Sequence, residues 1–517
     1  MADNHVAHPP ATAEVGGPHH PVPLLHRWPL PPGTPKEDHR PRDHGDQLGG
    51  SRDAGGEREA GGELGLGLAG NGRARAPRAV VIGAGFAGLA AVRRLAPAQV
   101  EVTLVDRHNF HTFQPLLYQV ATAGLGPGDV AYPVRTIFRR RPRVRFVHAL
   151  VTGVDLGAQR VELEGAGPLP YDYLVVATGA TAATFGVPGV AEGSFRLYTL
   201  EDARRLRNQV LSVLEKADAA GERDGGAPVF VIVGGGPTGV ETAGALVELL
   251  DTAVRHDRLQ IDRLRARVIL FDALDELLMG FPARARRYAQ RVLEKRGVEV
   301  RLGTRVAEVH PGGVRLGTGE EVSADTVVWV AGVTVEGTLA ASLAGGPQGG
   351  GQRRAPGGRV EVRPDLSLEG HPEVFVVGDA AAVPGPEGRG WSPQVAQVAI
   401  QSGDHAARQI LRYLRGEPAQ PFTYRDKGMM ATVGRRAAVA WLRGGLVLRG
   451  TPGWLAWLGL HLVYLIGFRN RAVVLVNWAW RYFKWPSGPR LIFGESGPAP
   501  APASEVGRPR AGGGPHA

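Results

Sequence analysis

The sequence predicts a doubly wound α/β protein, and three observations carry that prediction. Two blocks repeat one order: strand, glycine turn, helix, strand ending in an acid. Their strands are short continuous apolar runs, the pattern of strands buried on both faces of a parallel sheet. A third apolar strand, far downstream, offers itself as a late partner for the first block.

Residues 1–76 come before these blocks and are rich in Gly, Pro, His and charge without apolar periodicity. Such a stretch cannot bury enough surface to offset the entropy of ordering, so a disordered extension is expected. The same composition returns in residues 488–517.

The first block runs Arg78-Ala-Val-Val-Ile-Gly83-Ala-Gly85-Phe86-Ala87-Gly88, then a helix, then Val100-Glu-Val-Thr-Leu-Val-Asp106-Arg107. The second runs Val229-Phe-Val-Ile-Val-Gly234-Gly-Gly236-Pro-Thr238-Gly239, a longer helix, and Val268-Ile-Leu-Phe-Asp272. Each glycine has its own reason. The first permits a tight turn, the second lets backbone approach a pyrophosphate, and the third lets helix and strand pack closely. The helix start offers free N–H groups and partial positive charge to the phosphates. The acid accepts hydrogen bonds from a ribose; Asp106 stands 18 residues past Gly88, and Asp272 stands 33 past Gly239. A carboxylate there repels a 2′-phosphate, so Asp272 favours NADH over NADPH. Two dinucleotide sites in one chain are expected.

The later strand is Glu373-Val-Phe-Val-Val-Gly378-Asp379, and an intervening one is Tyr173-Leu-Val-Val-Ala177-Thr178-Gly179. Both resemble the fingerprints of two-dinucleotide flavoproteins. That resemblance implies FAD in the first unit, a nicotinamide nucleotide in the inserted second unit, and Asp379 against the ribityl chain. The fold class is therefore two nested Rossmann-like dinucleotide-binding domains, α/β throughout, plus a C-terminal membrane-anchoring helical segment. Expected boundaries are 77–200 and 336–425 for the two parts of the FAD domain, 201–335 for the NADH domain, and 426–487 for the membrane-associating region.

Composition narrows the chemistry. The chain has 517 residues, 43% hydrophobic and 21% charged, enough for a large core. Its net charge of +10 favours anionic partners or reflects an arginine-rich genome. No basic run interleaved with aromatics appears, so nucleic acid is not an expected partner. No cysteine is present, which removes disulfides, cysteine metal sites, Fe–S clusters and every redox-active thiol. Disulfide reductases and sulfide:quinone reductases fall with them. The acceptor takes electrons directly from reduced flavin: a quinone, oxygen or a separate redox protein.

Three further stretches resemble the type II NADH:quinone oxidoreductases, single-chain respiratory dehydrogenases that do not pump protons. They are Arg107 to Gly124, containing Gln114-Pro115-Leu116-Leu117; Gln394-Val-Ala-Gln397-Val-Ala-Ile-Gln401; and Trp454 to Trp485. The resemblance covers about residues 77–487 and implies NADH as donor, FAD as cofactor and a membrane quinone as acceptor. Gln397 and Gln401, four apart, share one helix face, which the family places beside the quinone headgroup; a solvated helix face is the plainer reading. Gln114 to Leu117 would, by the same resemblance, pack near the isoalloxazine and its quinone tunnel. Glu241, assigned to the first turn of its helix, either complements the helix dipole or, as the family implies, handles protons or NADH near the nicotinamide. Gly332, ending the strand Val327-Val-Trp-Val-Ala, is expected to line the nicotinamide pocket.

From Gly453 to Phe468 sixteen largely apolar residues precede Arg469 and Arg471, fewer than the roughly 20 a spanning helix needs. The abundant Trp and Tyr suit headgroup level, and Arg469, Arg471, Arg481 and Lys484 suit anionic lipid. Two helices lying in the interface are expected; a buried helix pair or a homodimer contact is the alternative. The location implied is the cytoplasmic face of the cell membrane, with membrane lipid and quinone as partners. Two rival functions stay open: a soluble NADH-dependent reductase feeding a ferredoxin or oxygen, and a slow-turnover redox-sensing NADH/FAD protein.

Overall fold

The computed structural model describes residues 75–498 except 225–226, 258, 262–264, 336–342, 344–353, 386–389, 484–489 and 495–496. The expected disordered extension 1–76 lies outside the described residues except for 75–76, as do Lys484 and Trp485. Of the expected disordered tail 488–517, residues 490–494 and 497–498 are described. Against that expectation Phe493 is fixed, its carbonyl accepting from Arg204 and Asn208 and its ring lying under Arg207.

The first glycine block builds a six-stranded sheet. Its order is Ser367–Leu368, His371–Val376, Tyr173–Val176, Arg78–Ile82, Glu101–Asp106, Val144–His148. All neighbours pair in parallel except the edge strand Ser367–Leu368. The central strands bury both faces, as their unbroken Val/Ile/Leu runs require. The chain leaves this sheet after Tyr173–Val176 and returns with His371–Val376 beside the same strand, Val374 opposite Leu174. Everything between is nested inside the first unit.

The nested part repeats the design. Five parallel strands lie in the order Phe195–Arg196, Thr326–Trp329, Val229–Val233, Arg267–Phe271, Val298–Arg301. Each unit also carries a three-stranded antiparallel sheet: 151–170 in the first, 306–323 in the second. The helix Phe86–Leu95 follows the first glycine turn, and the longer helix Pro237–Arg255 follows the second.

Beyond the helix Ala396–Tyr413 the chain forms a third, antiparallel sheet, Gly428–Gly434, Ala437–Leu442 and Val447–Gly450. It rests on the helix Pro237–Arg255, where Gly244 lets the backbones meet: a Cβ there would lie 2.2 Å from the Val433 carbonyl oxygen.

Two helices follow this sheet, Thr451–Tyr464 and Phe468–Phe483. Gly467, at φ +85°, turns the chain between them. Three of the tryptophans do not sit at an outer rim as expected. Trp454, Trp457 and Trp478 are buried in the main core, because the pair closes over the cluster containing Tyr118, Leu246 and Val439. Asn470 donates to the carbonyls of Asp129 and Ala131, pinning the second helix to the first unit. Arg471 is likewise not free for lipid: it donates to the carbonyls of Val463 and Leu465, satisfying the open end of the preceding helix. What faces outward is mostly apolar, Leu455, Leu460, Val463, Phe468, Leu475 and Val476, with Arg469 and Asn477 exposed among them. Among the described residues no helix is long and apolar enough to cross a membrane.

Candidate active site

The two glycine turns superimpose in their chemistry. Gly83 and Gly234 have φ of +101° and +118°, which L side chains rarely adopt, and a Cβ on either would collide with the carbonyl of Ala177 or Val330. A Cβ on Gly88 or Gly239 would stand 1.8 Å from the carbonyl oxygen of Gly83 or Gly234. By contrast, a Cβ on Gly85 or Gly236 meets nothing within 4 Å. That open space sits in front of a helix start with no side-chain cap in either unit. Free N–H groups therefore face an empty cradle, which suits a pyrophosphate.

The acids match as closely. Asp106 accepts from the N–H of Ala84 at 2.6 Å and of His108 at 2.7 Å. Asp272 accepts from the N–H of Gly235 at 2.5 Å and of Leu274 at 2.7 Å. Each carboxylate is thereby held rigid at its cradle, with further lone pairs free for ribose hydroxyls.

Both cradles open into one cleft of about 1950 Å³, well above the roughly 300–1,000 Å³ of a single small-ligand pocket. Its floor between the cradles is a polar cluster. Tyr198 receives the Ala180 N–H at its hydroxyl and donates to Asp379 at 3.3 Å. Gln114 donates to the Tyr198 carbonyl, and Gln394 to that of Asp379. Burial pushes both the Asp379 carboxyl and the Tyr198 phenol upward. Glu241 lines the deeper wall, accepts the Thr432 N–H at 3.1 Å, and is pushed up to about 8 by burial. His461, from the first terminal helix, stacks on Trp457 at 4.1 Å and is pulled down to about 4 by burial, so its ring is neutral at pH 7. Two cradles, two anchored acids and a shared cleft fit one flavin and one nicotinamide dinucleotide.

The profile of the family "Pyridine nucleotide-disulphide oxidoreductase" matches residues 77–403. The type II NADH:quinone oxidoreductase Ndh of Mycobacterium tuberculosis is 41% identical over 419 residues, 78% of this chain and 88% of the relative. The chain belongs to the type II NADH:quinone oxidoreductases. A second such enzyme from M. tuberculosis, NdhA, is 42% identical over 415 residues, 78% of this chain and 86% of that one. The type II NADH:quinone oxidoreductase of Staphylococcus aureus is 30% identical over 375 residues, 71% and 90%. NDH2 from Plasmodium falciparum, solved with NADH, shares the fold at TM-score 0.73 and 16% identity, covering 81% of this chain and 100% of its own.

In this type II NADH:quinone oxidoreductase most of the residues singled out from the sequence do meet in the cleft. Gly83, Gly85, Phe86, Ala87, Asp106, Arg107, Gln114, Pro115, Ala177, Thr178, Gly179, Gly378 and Asp379 line one side. Gly234, Gly236, Thr238, Asp272 and Gly332 line the other, and Glu241 and Gln397 line the cleft as well. Gly88 and Gly239 do not line it; they act only through close packing.

Three expectations need correction. Leu116, the last residue of the 3₁₀ turn Gln114–Leu116, is fully buried in the main core and does not line the cleft; Leu117, buried in the same core, does reach it. Gln401 does not line the cleft: its amide donates to the Arg425 carbonyl and accepts the Arg425 N–H, both at 3.0 Å. Neither is it a solvated face residue; it clips the helix to the segment that leads into the strand Gly428–Gly434. Glu241 is the fifth residue of its helix and no acid occupies the first turn, so a dipole role does not explain it.

Sequence reasoning missed Tyr198, His461 and Phe185. Phe185 lines the cleft with φ +53°, unusual for an aromatic residue, and packs over Gly332. His461 carries the one usable signal, a lone imidazole within an apolar run.

Proposed function

We propose that the protein oxidises NADH through bound FAD and delivers two electrons to a quinone at the surface of a membrane, on its cytoplasmic face. FAD supplies the redox centre that accepts a hydride from the nicotinamide. The chain supplies position and protons. The N–H groups beyond Gly85 hold the flavin pyrophosphate, Asp106 its ribose, and Asp379 with Tyr198 the ribityl side. In the nested unit the cradle at Gly236 and Thr238 holds the NADH pyrophosphate, Asp272 the ribose, and Gly332 the nicotinamide end. Asp272 also disfavours a 2′-phosphate.

The far end of the cleft receives the quinone. Gln114, Pro115, Leu117, Gln397 and His461 line it. Gln397 donates to the Gly428 carbonyl at 2.9 Å and accepts the Lys427 N–H, so it sets the wall of this end. Glu241, neutral over most of the physiological range, holds a proton beside the cleft for transfer when the quinone is reduced. Membrane access follows from the exposed apolar residues of the terminal helix pair, of which Leu455, Leu460 and Val463 share a helix with His461.

One observation carries the reading: both dinucleotide cradles open into a single cleft that Leu460, His461 and Tyr464 of the first terminal helix also line, in a chain with no cysteine to relay electrons. The test is NADH oxidation by the detergent-purified protein with a short-chain quinone, oxygen or a ferredoxin as sole acceptor. Quinone-dependent turnover well above the other two is expected. Turnover that a ferredoxin or oxygen supports as well as quinone does would overturn it.

A further inference from the structure

Away from the cleft, the helix Ala283–Lys295 carries a stripe of cations. Arg284, Arg287, Arg291 and Lys295 are spaced three and four apart, so they share one face, and all are exposed. Among the described residues none of them makes an ion pair. Other surface arginines are paired, Arg204 with Glu201, Arg267 with Glu299, Arg301 with Glu320 and Arg412 with Glu417, and others, such as Arg139, Arg145 and Arg436, make no ion pair among the described residues; what sets this stripe apart is its alignment on one helix face. The acid nearest in sequence, Glu294, accepts instead from Gln290 at 2.9 Å.

The C-terminal end of this stripe borders a groove of about 610 Å³ between the helix and the strand Val447–Gly450. Arg291, Lys295 and Arg449 supply its charge, and Val292, Val447 and Pro452 its apolar lining; no acid lines it. Leu446, at the tip of the adjoining hairpin, is 57% exposed, and Leu455, one turn into the first terminal helix, is 58% exposed. Cations around an apolar trough, flanked by outward leucines, match a phosphate headgroup joined to acyl chains.

We infer that the groove between Ala283–Lys295 and Val447–Gly450 binds the phosphate headgroup of an anionic lipid. Arg291 and Arg449 present guanidinium forks, each donating two parallel hydrogen bonds to phosphate oxygens. Lys295 adds a point charge, and Arg284 and Arg287 extend the attraction along the helix. The leucines enter the acyl region beside the headgroup. The inference rests on the membrane-surface reading above and adds a second contact to the terminal helices. It fixes the nested unit, and with it the cleft, at a set height over the bilayer.

The test is flotation of the flavin-loaded full chain with vesicles of phosphatidylcholine alone or with about a third phosphatidylglycerol. The wild type is expected to bind both and to prefer the acidic vesicles, a preference lost at high salt. The double variant Arg291→Gln/Lys295→Gln, and separately Arg449→Gln, should keep flavin content, NADH-driven flavin reduction and binding to neutral vesicles. Their affinity for acidic vesicles should fall by about tenfold for the double variant and severalfold for the single one. An undiminished preference in both variants overturns the headgroup site and leaves the membrane reading standing. Failure of the wild type to bind either vesicle overturns both. Saturable binding of inorganic phosphate at millimolar concentration without vesicles, abolished in the double variant, would reassign the groove to a free anion.

Discussion

The backbone N–H of Thr432 donates to a carboxyl oxygen of Glu241 at 3.1 Å, joining the C-terminal sheet to the helix that cradles the nicotinamide dinucleotide. The two residues lie 191 positions apart. A carboxyl only 8% exposed is thus aligned from the far end of the chain, at the point where both halves of the cleft meet.

Burial raises Glu241 from its ordinary 4.5 to about 8. The folded protein therefore binds a proton that the unfolded chain releases. The associated stability is complete below about pH 4.5 and is lost as pH rises through about 8, at up to about 1.4 kcal/mol per pH unit. Glu241→Gln keeps the acceptor for Thr432 but does not titrate. Its melting temperature relative to wild type should climb across that window. Its quinone turnover should lack the inflection near pH 8 that a titrating Glu241 predicts for the wild type.

Gln397 and Gln401 separate two roles that their spacing joins. Both side chains clamp the segment Arg425–Gly428, but only Gln397 lines the cleft. Gln401→Ala should cost about 1–2 kcal/mol in denaturant titration, the worth of two backbone hydrogen bonds, with quinone kinetics unchanged. Gln397→Ala should lose similar stability and also quinone turnover, while stopped-flow reduction of the flavin by NADH continues.

The glycines of the first turn give an opposed pair. Gly88→Ala places a methyl against the Gly83 carbonyl and should destabilise the protein by about 1–3 kcal/mol or more, with low yield of folded material. Gly85→Ala meets no protein atom. Its far-ultraviolet circular dichroism should match wild type while the purified protein lacks flavin, because the methyl occupies the cofactor's cradle.

Trp478 donates its indole N–H to Gln119 at 2.9 Å, and Gln119 in turn donates to the Tyr118 hydroxyl. Trp478→Phe leaves a buried amide oxygen without its donor, at a cost of about 1–3 kcal/mol. Limited proteolysis should then cut within the terminal helices of the variant sooner than in wild type.

What the sequence made legible was what local chain geometry dictates. A left-handed φ at Gly83 and a forbidden Cβ at Gly88 leave glycine as the residue that fits, so the motif and its place in the fold are readable together. The continuous apolar strands announced a parallel sheet for the same reason. Contacts across long separations were not legible. Helical spacing put Gln397 and Gln401 on one face, but nothing local says that residues 425–428 would consume both amides. Composition put tryptophans at a membrane rim; packing against Tyr118 and its neighbours buried three of them and turned leucines, valines and a phenylalanine outward. Leu116 and Leu117 differ only by one step around a 3₁₀ turn, finer than any residue pattern resolves.

The central claim, two cradles feeding one flavin that discharges to quinone, is tested most directly by anaerobic spectroscopy of the detergent-purified protein. The account predicts a yellow protein whose flavin absorbance bleaches with one equivalent of NADH and returns with one equivalent of a short-chain quinone. A protein that stays colourless after incubation with FAD, or a reduced flavin that quinone leaves bleached, would contradict it.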